Sequence, residues 1–150
     1  SADGAFGLVV NRPTDTPAAE AVHLDPPPAT KGSTRLWVGG PVEPQRGWIL
    51  MPAAPPEGEG LEVTDGVFLS TSLDVLRSVI ETDDARSRVL TGYAGWGPGQ
   101  LDEELAQSAW LTADVTPQLV FDTASAAMWE AAIRQLGADP GLLQAGHGVH

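Results

Sequence analysis

Cysteine is missing altogether from this chain of 150 residues. That excludes disulfides, thiol nucleophiles and thiolate metal sites. Lysine occurs once, and the 8 basic residues face 20 acidic ones, a net charge of −12. The deficit is uneven. Residues 1–50 carry four basic and five acidic residues, whereas residues 51–150 carry four and fifteen. Such a surface repels phosphate backbones, whose neutralisation needs Lys and Arg, so direct binding to DNA, RNA or an anionic membrane is disfavoured. Long apolar runs are absent too. Nothing approaches the ~20 residues of a membrane span, and no charged-then-apolar leader pattern opens the chain. Histidine occurs only three times, as His23, His147 and His150. Without Cys these make a poor zinc set, because a third placed ligand would still be needed. No cofactor motif is present.

The chain is nonetheless built to fold. Its hydrophobic fraction is 42% and its mean hydropathy −0.07. At this length a chain forms one domain that buries about 70% of its unfolded surface. Glycine and proline total 17 + 13 = 30 residues, below the roughly 25–30% that marks low complexity but enough to require many turns. No internal repeat or long linker divides residues 1–150, which read as a single domain.

Strand and helix patterns alternate along it. Ala5–Val10 is an apolar strand that Pro13 is expected to close. Thr16–Val22 could form a helical turn or two, with Thr16 as cap and Pro17 in the first position. Arg35–Gly39 and Gly47–Met51 read as strands joined by a shaped loop over residues 40–46. Leu61–Val63 and Val67–Leu69 form a hairpin whose Asp65-Gly66 suits a type I′ turn. A helix opens at Ser70-Thr71-Ser72, with Thr71 and Asp74 at capping-box spacing and Leu73, Leu76, Val79 and Ile80 on its apolar side. Ser87–Tyr93 is a strand, and Gln100–Trp110 is a helix with a Leu101, Leu105, Ala109 stripe. Gln118–Phe121 reads as a strand. A last helix, about Ser125 to Leu136, carries Trp129, Ala132, Ile133 and Leu136 at i, i+3, i+4 and i+7. The pattern as a whole is α+β.

Between the strand ending at Tyr93 and the helix beginning at Gln100 lies Gly92-Tyr93-Ala94-Gly95-Trp96-Gly97-Pro98-Gly99. A glycine-rich turn before a helix is the usual place for a phosphate cradle. Here the spacing fits no phosphate motif, no basic residue lies within it, and Asp102, Glu103 and Glu104 crowd the turn where a phosphate would dock. The glycines are better explained by a sharp turn, with Tyr93 and Trp96 packing on the sheet. Ser70 or Ser72 with His147 and an Asp could be drawn as a triad, but no G-x-S-x-G elbow supports it. Glu103 and Glu104 are adjacent on a helix and point apart. Arg12 and Arg46 each sit in a Pro/Gly-shaped segment beside a strand, in the half that is not strongly acidic. Each suits either an ion pair with one of the many carboxylates or recognition of an anionic ligand or partner.

Four segments in order resemble the bacterial YqgE/AlgH family: Gly4–Pro13; Gly39-Gly40-Pro41-Val42 with Arg46-Gly47; Ser70–Leu76; and Gly92–Leu101. Ala109-Trp110-Leu111, Phe121-Asp122-Thr123, Trp129 and Gly146-His147 continue the similarity. The resemblance implies a single domain with a small barrel-like or bifurcated, mostly antiparallel sheet flanked by helices. It also implies a further N-terminal segment, with a strand of its own, ahead of Gly4. The family is labelled as transcriptional regulators, and its members share no agreed biochemical activity. Joined to the charge argument, this gives an expectation of a non-enzymatic cytoplasmic binding or regulatory protein that acts through a partner protein or small anionic ligand. The alternative is a hydrolase-like enzyme at the same loops, for which His147 is the available base. Arg12, Arg46, Tyr93, Trp96, Gln100 and His147 are the candidate ligand-binding residues.

Overall fold

A computed structural model describes residues 4–30 and 32–136. Its strands are β1 (Ala5–Gly7), β2 (Pro13–Pro17), β3 (Arg35–Val38), β4 (Val42–Met51), β5 (Leu61–Thr64), β6 (Val67–Ser70) and β7 (Arg88–Trp96). The α-helices are α1 (Ala18–Ala21), α2 (Leu73–Thr82), α3 (Gln100–Ala106) and α4 (Met128–Gln135). The strands form one sheet in the order β2-β3-β7-β4-β6-β5, with β1 also pairing on β7. All pairs are antiparallel except β3 with β7. The sheet is bifurcated and does not close into a barrel. Residues 89–91 of β7 lie beside β3, and residues 94–96 continue beside β1.

Gly92 is where the sheet forks. A Cβ there would run into the carbonyl oxygen of Gly40, and one on Gly40 into the carbonyl of Tyr93. Two main chains cross at a distance that only glycine permits, and Gly92 also needs its φ of +75°. The opening of the glycine-rich segment is thus strand, not turn.

Period-two alternation splits the core between the two faces. Ile49 and Val89 face α1 and α2, joining Val75, Leu76, Val79, Ile80, Ala18 and Leu24. Trp48, Leu50 and Leu90 face the other way, joining Val67, Leu69, Val120 and Phe121. Ile80 and Leu90 are completely buried.

Several local readings change. A strand begins at Pro13 where one was expected to end, because Pro13 and Pro17 sit on the edge strand β2, where a missing N–H costs little. The cap of α1 is Pro17, with no side-chain bond from Thr16. The segment from Val42 to Arg46 belongs to β4, which is bulged and not a separate loop. At the β5–β6 hairpin only Gly66 takes a positive φ, so the turn is not type I′, and the register slips between Glu62 and Thr64. Ser72, not Thr71, caps α2, its Oγ accepting from the Val75 N–H at 3.3 Å. Leu73 lies on the same helix face as Ile80 yet is 64% exposed.

Residues 118–122 form a π turn, not a strand, with Thr116 Oγ1 accepting from the Leu119 N–H at its start. A three-residue apolar run does not separate the two forms by periodicity. Here Val120 and Phe121 plug the second core together. α3 ends at Ala106 and buries nothing, and Trp129 on α4 is 40% exposed while Met128 and Ile133 are buried. No helix among the described residues is long and apolar enough to cross a membrane.

Candidate functional site

The bulge in β4 creates the most distinctive chemistry. Val42 pairs with Tyr93 and Gly47 with Thr91, so Glu43, Pro44, Gln45 and Arg46 lie opposite the single residue Gly92. Surplus residues in one strand must leave the ladder. Glu43 adopts a left-handed φ of +45° at the start of the excursion. Its carboxylate accepts a hydrogen bond from the Tyr93 hydroxyl at 2.7 Å. That bond is the main reason the phenol is held above its ordinary value of 10, aided by desolvation and the Glu43 charge and opposed by Arg46.

At the other end of the bulge the Arg46 guanidinium lies over the Trp48 ring, 4.7 Å from its centroid. Trp48 stacks on Phe6 at 5.2 Å, and both rings meet Tyr93 edge-on at about 6 Å. Trp48 is only 6% exposed, and its indole N–H has no partner among the described residues. Among the described residues Arg46 makes no ion pair with a carboxylate.

Two pockets, of about 540 and 560 Å³, meet at this point and share Arg46, Trp48, Thr71 and Ser72 as walls. The first lies on the α1/α2 face and is completed by Val22, Leu36, Leu73, Leu76, Val89 and Thr91. The second lies toward Phe6, Glu59 and the β5–β6 hairpin. Between them the Ser-Thr-Ser segment is tied down. Ser70 Oγ donates to the Glu59 carbonyl, and Ser72 Oγ donates to the Glu59 carboxylate at 2.7 Å while capping α2.

The other candidates are dispersed. Arg12 accepts a backbone bond at its carbonyl from Val38, beside β3. Val38 is level with Thr91, and Thr91 with Gly47. Arg12 is thus three strand spacings, about 14 Å, from the neighbour of Arg46. Tyr93 stands beside Arg46, and shares a further pocket with Phe6, Val42 and Trp96. Trp96 and Gln100 belong mainly to a knot around Glu104. Its carboxylate accepts from the Trp96 and Trp110 indoles at 3.3 and 2.7 Å and from Gln100 Nε2 at 3.1 Å, while the two indoles meet edge-on. The Trp110 bond foremost holds the Glu104 carboxyl below its ordinary 4.5; desolvation opposes it, and the Gln100 and Trp96 bonds add to the lowering. His147 lies outside the described residues. Among the described residues no three of His, Asp and Glu come together as a metal site.

Phe6, Glu43, Trp48 and Glu59 were not singled out by sequence reasoning. Arg46 and Trp48 stand two apart, the spacing of strand neighbours on one face. The prolines at 41 and 44 hid that signal, because they read as loop.

The forked, mostly antiparallel sheet and the helices packed on it, with Ser72 capping α2 beside the bulge, define a small single-domain fold of mixed α and β structure. The chain belongs to the AlgH-like family, whose model matches residues 1–141. A UPF0301 protein of Ruegeria pomeroyi is 40% identical, the alignment covering 97% of this chain and 82% of that one. One of Pseudomonas fluorescens strain Pf0-1 is 42% identical over 98% and 81%. The solution structure of the AlgH protein from Pseudomonas aeruginosa is similar with a TM-score of 0.77 and 37% identity, over 99% of this chain and 80% of that one. A crystal structure of a Corynebacterium diphtheriae protein, 21% identical with a TM-score of 0.65 over 89% and 72% of the two chains, shares the fold.

Proposed function

We propose that this chain is a non-enzymatic, cytoplasmic binding protein that acts in regulation through a small anionic ligand held at Arg46. The observation that carries the reading is the state of Arg46. In a chain of net charge −12 it has no carboxylate ion pair among the described residues, lies over an aromatic ring, and stands where two pockets meet. An arginine placed so retains its planar donors for an incoming carboxylate or phosphate. Tyr93 and Trp48 frame it. Arg12, about 14 Å away by strand spacing, is not part of this site.

The test is a thermal-shift panel of small anions on the unmodified chain, Arg46→Ala and Arg12→Ala. Stabilisation that survives Arg12→Ala and is lost in Arg46→Ala is expected. Stabilisation that needs Arg12 and ignores Arg46 contradicts the site. Direct DNA binding is excluded from the proposal by charge. A gel shift with duplex DNA that weakens steeply with salt would overturn that part.

The hydrolase reading gains one observation, the hydrogen bond from Ser72 to Glu59 in the shared wall. Ser72 Oγ already accepts the α2 capping bond, and a carboxylate alone is a weak base toward serine. We therefore rank it second. Ester hydrolysis abolished by Ser72→Ala but not by Thr71→Ala would reverse the order.

A further inference from the structure

The pocket on the α1/α2 face has a composition that narrows its ligand. Fifteen residues line its roughly 540 Å³, and Arg46 alone among them is charged. Its volume falls in the range of small-molecule sites, about 300–1,000 Å³. The remaining wall is largely aliphatic: Val22, Leu36, Ile49, Leu76 and Val89 are also members or neighbours of the first core cluster. The core therefore opens directly into the pocket. Leu73 stands at its mouth, on the core-facing side of α2 but 64% exposed.

An apolar cavity with one cation at its rim suits a molecule with the reverse polarity. We infer that this pocket binds an amphiphilic monoanion, a carboxylate on an unbranched aliphatic body, with the head on Arg46 and the chain against Leu36, Leu76 and Val89. The inference rests on the Arg46 reading above and goes beyond it by naming the ligand class. A multiply charged phosphate compound is poorly matched, because the pocket offers one cation. Glu43 and Glu59, on the flanking segments, accept hydrogen bonds from Tyr93 and Ser72 and form no ion pair with Arg46 among the described residues.

The experiment is a calorimetric titration of the full chain with butanoate, hexanoate and octanoate, with 1-octanol and inorganic phosphate as comparison probes. Burial of each added CH₂ tightens binding about four-fold, the equivalent of about 0.8 kcal/mol. Octanoate is therefore expected to bind about sixteen-fold more tightly than hexanoate, and more tightly than octanol. Arg46→Ala is expected to bring octanoate down to the level of octanol while leaving octanol unchanged. Leu73→Glu provides a variant that keeps the fold, since the site is exposed and an acid in the first helical turn suits the dipole. Its carboxylate at the mouth should weaken octanoate and spare octanol.

Three results would overturn the inference, and they are distinguishable. Arg46-dependent binding of phosphate with no dependence on chain length keeps the Arg46 site and removes this ligand class. Chain-length dependence that Arg46→Ala leaves intact marks plain apolar adsorption. Absence of Arg46-dependent binding by every probe removes both this inference and the anion site itself.

Discussion

A side chain at position 92 would meet the carbonyl oxygen of Gly40 on the main chain crossing beside it. Position 92 also holds a φ of +75°, unfavourable to any residue with a Cβ. Gly92→Ala is expected to destabilise the chain by more than about 1 kcal/mol, read from urea unfolding. Gly99→Ala serves as comparison, since its φ is similar at +74° but nothing lies within 4 Å of its Cβ position. The excess loss at 92 measures the crossing itself, and equal losses would contradict the account of the fork.

Glu104 yields a pH prediction at the same scale. Its folded value lies below the ordinary 4.5. Its contribution is therefore fully present above that value and is lost as pH falls through the lowered one. Tryptophan fluorescence from Trp96 and Trp110 is expected to hold steady down to about pH 4.5 and change only below it, with Glu104→Gln removing the transition. A transition centred above 4.5 would contradict this.

Among the elements, α2 separates two assignments of its cap. Spacing pointed to Thr71, while the hydroxyl that accepts from Val75 belongs to Ser72. Ser72→Ala is expected to cost about 1 kcal/mol, and Thr71→Ala no more than about 0.5 kcal/mol, both from chemical denaturation. The reverse order would restore Thr71. The case shows where sequence stopped being informative. α2, β3, β6 and the hairpin turn position were readable because period and turn chemistry agree there. β4 was read only from Gly47 onward, because Pro41 and Pro44 look like loop residues until Tyr93 and Thr91 are seen to hold both ends of the bulge. The π turn at 118–122 was read as strand, since an apolar run that short has no period of its own. Leu73 fell on the right face of α2, but only the fold shows that this face ends in a pocket and not in packed core.

At the scale of the whole molecule, the family and the forked, mostly antiparallel sheet were legible from four motif segments. The site was legible only in part. Arg46 and Tyr93 come together, Arg12 stands apart beside β3, and Trp96 and Gln100 are engaged by Glu104. Spacing along the chain carries no information on which strands become neighbours. The order β2-β3-β7-β4 decides that: Arg12, bonded beside Val38 of β3, and Arg46 on β4 are kept apart by β3 and β7. The same order brings residues of 44–49, 71–76 and 89–91 around the pocket beside Arg46, in a chain of net charge −12.

The most direct test of that arrangement is an NMR titration of the isotopically labelled chain with octanoate, following backbone amides together with the Arg46 Nε–H and Trp48 Nε1–H signals. The expected result is saturable shifts at Arg46, Trp48, Leu73, Leu76 and Thr91, absent in Arg46→Ala. Shifts confined to Arg12 and β2, or to the α3–α4 region, would contradict the claim that Arg46 and its pocket form the binding site.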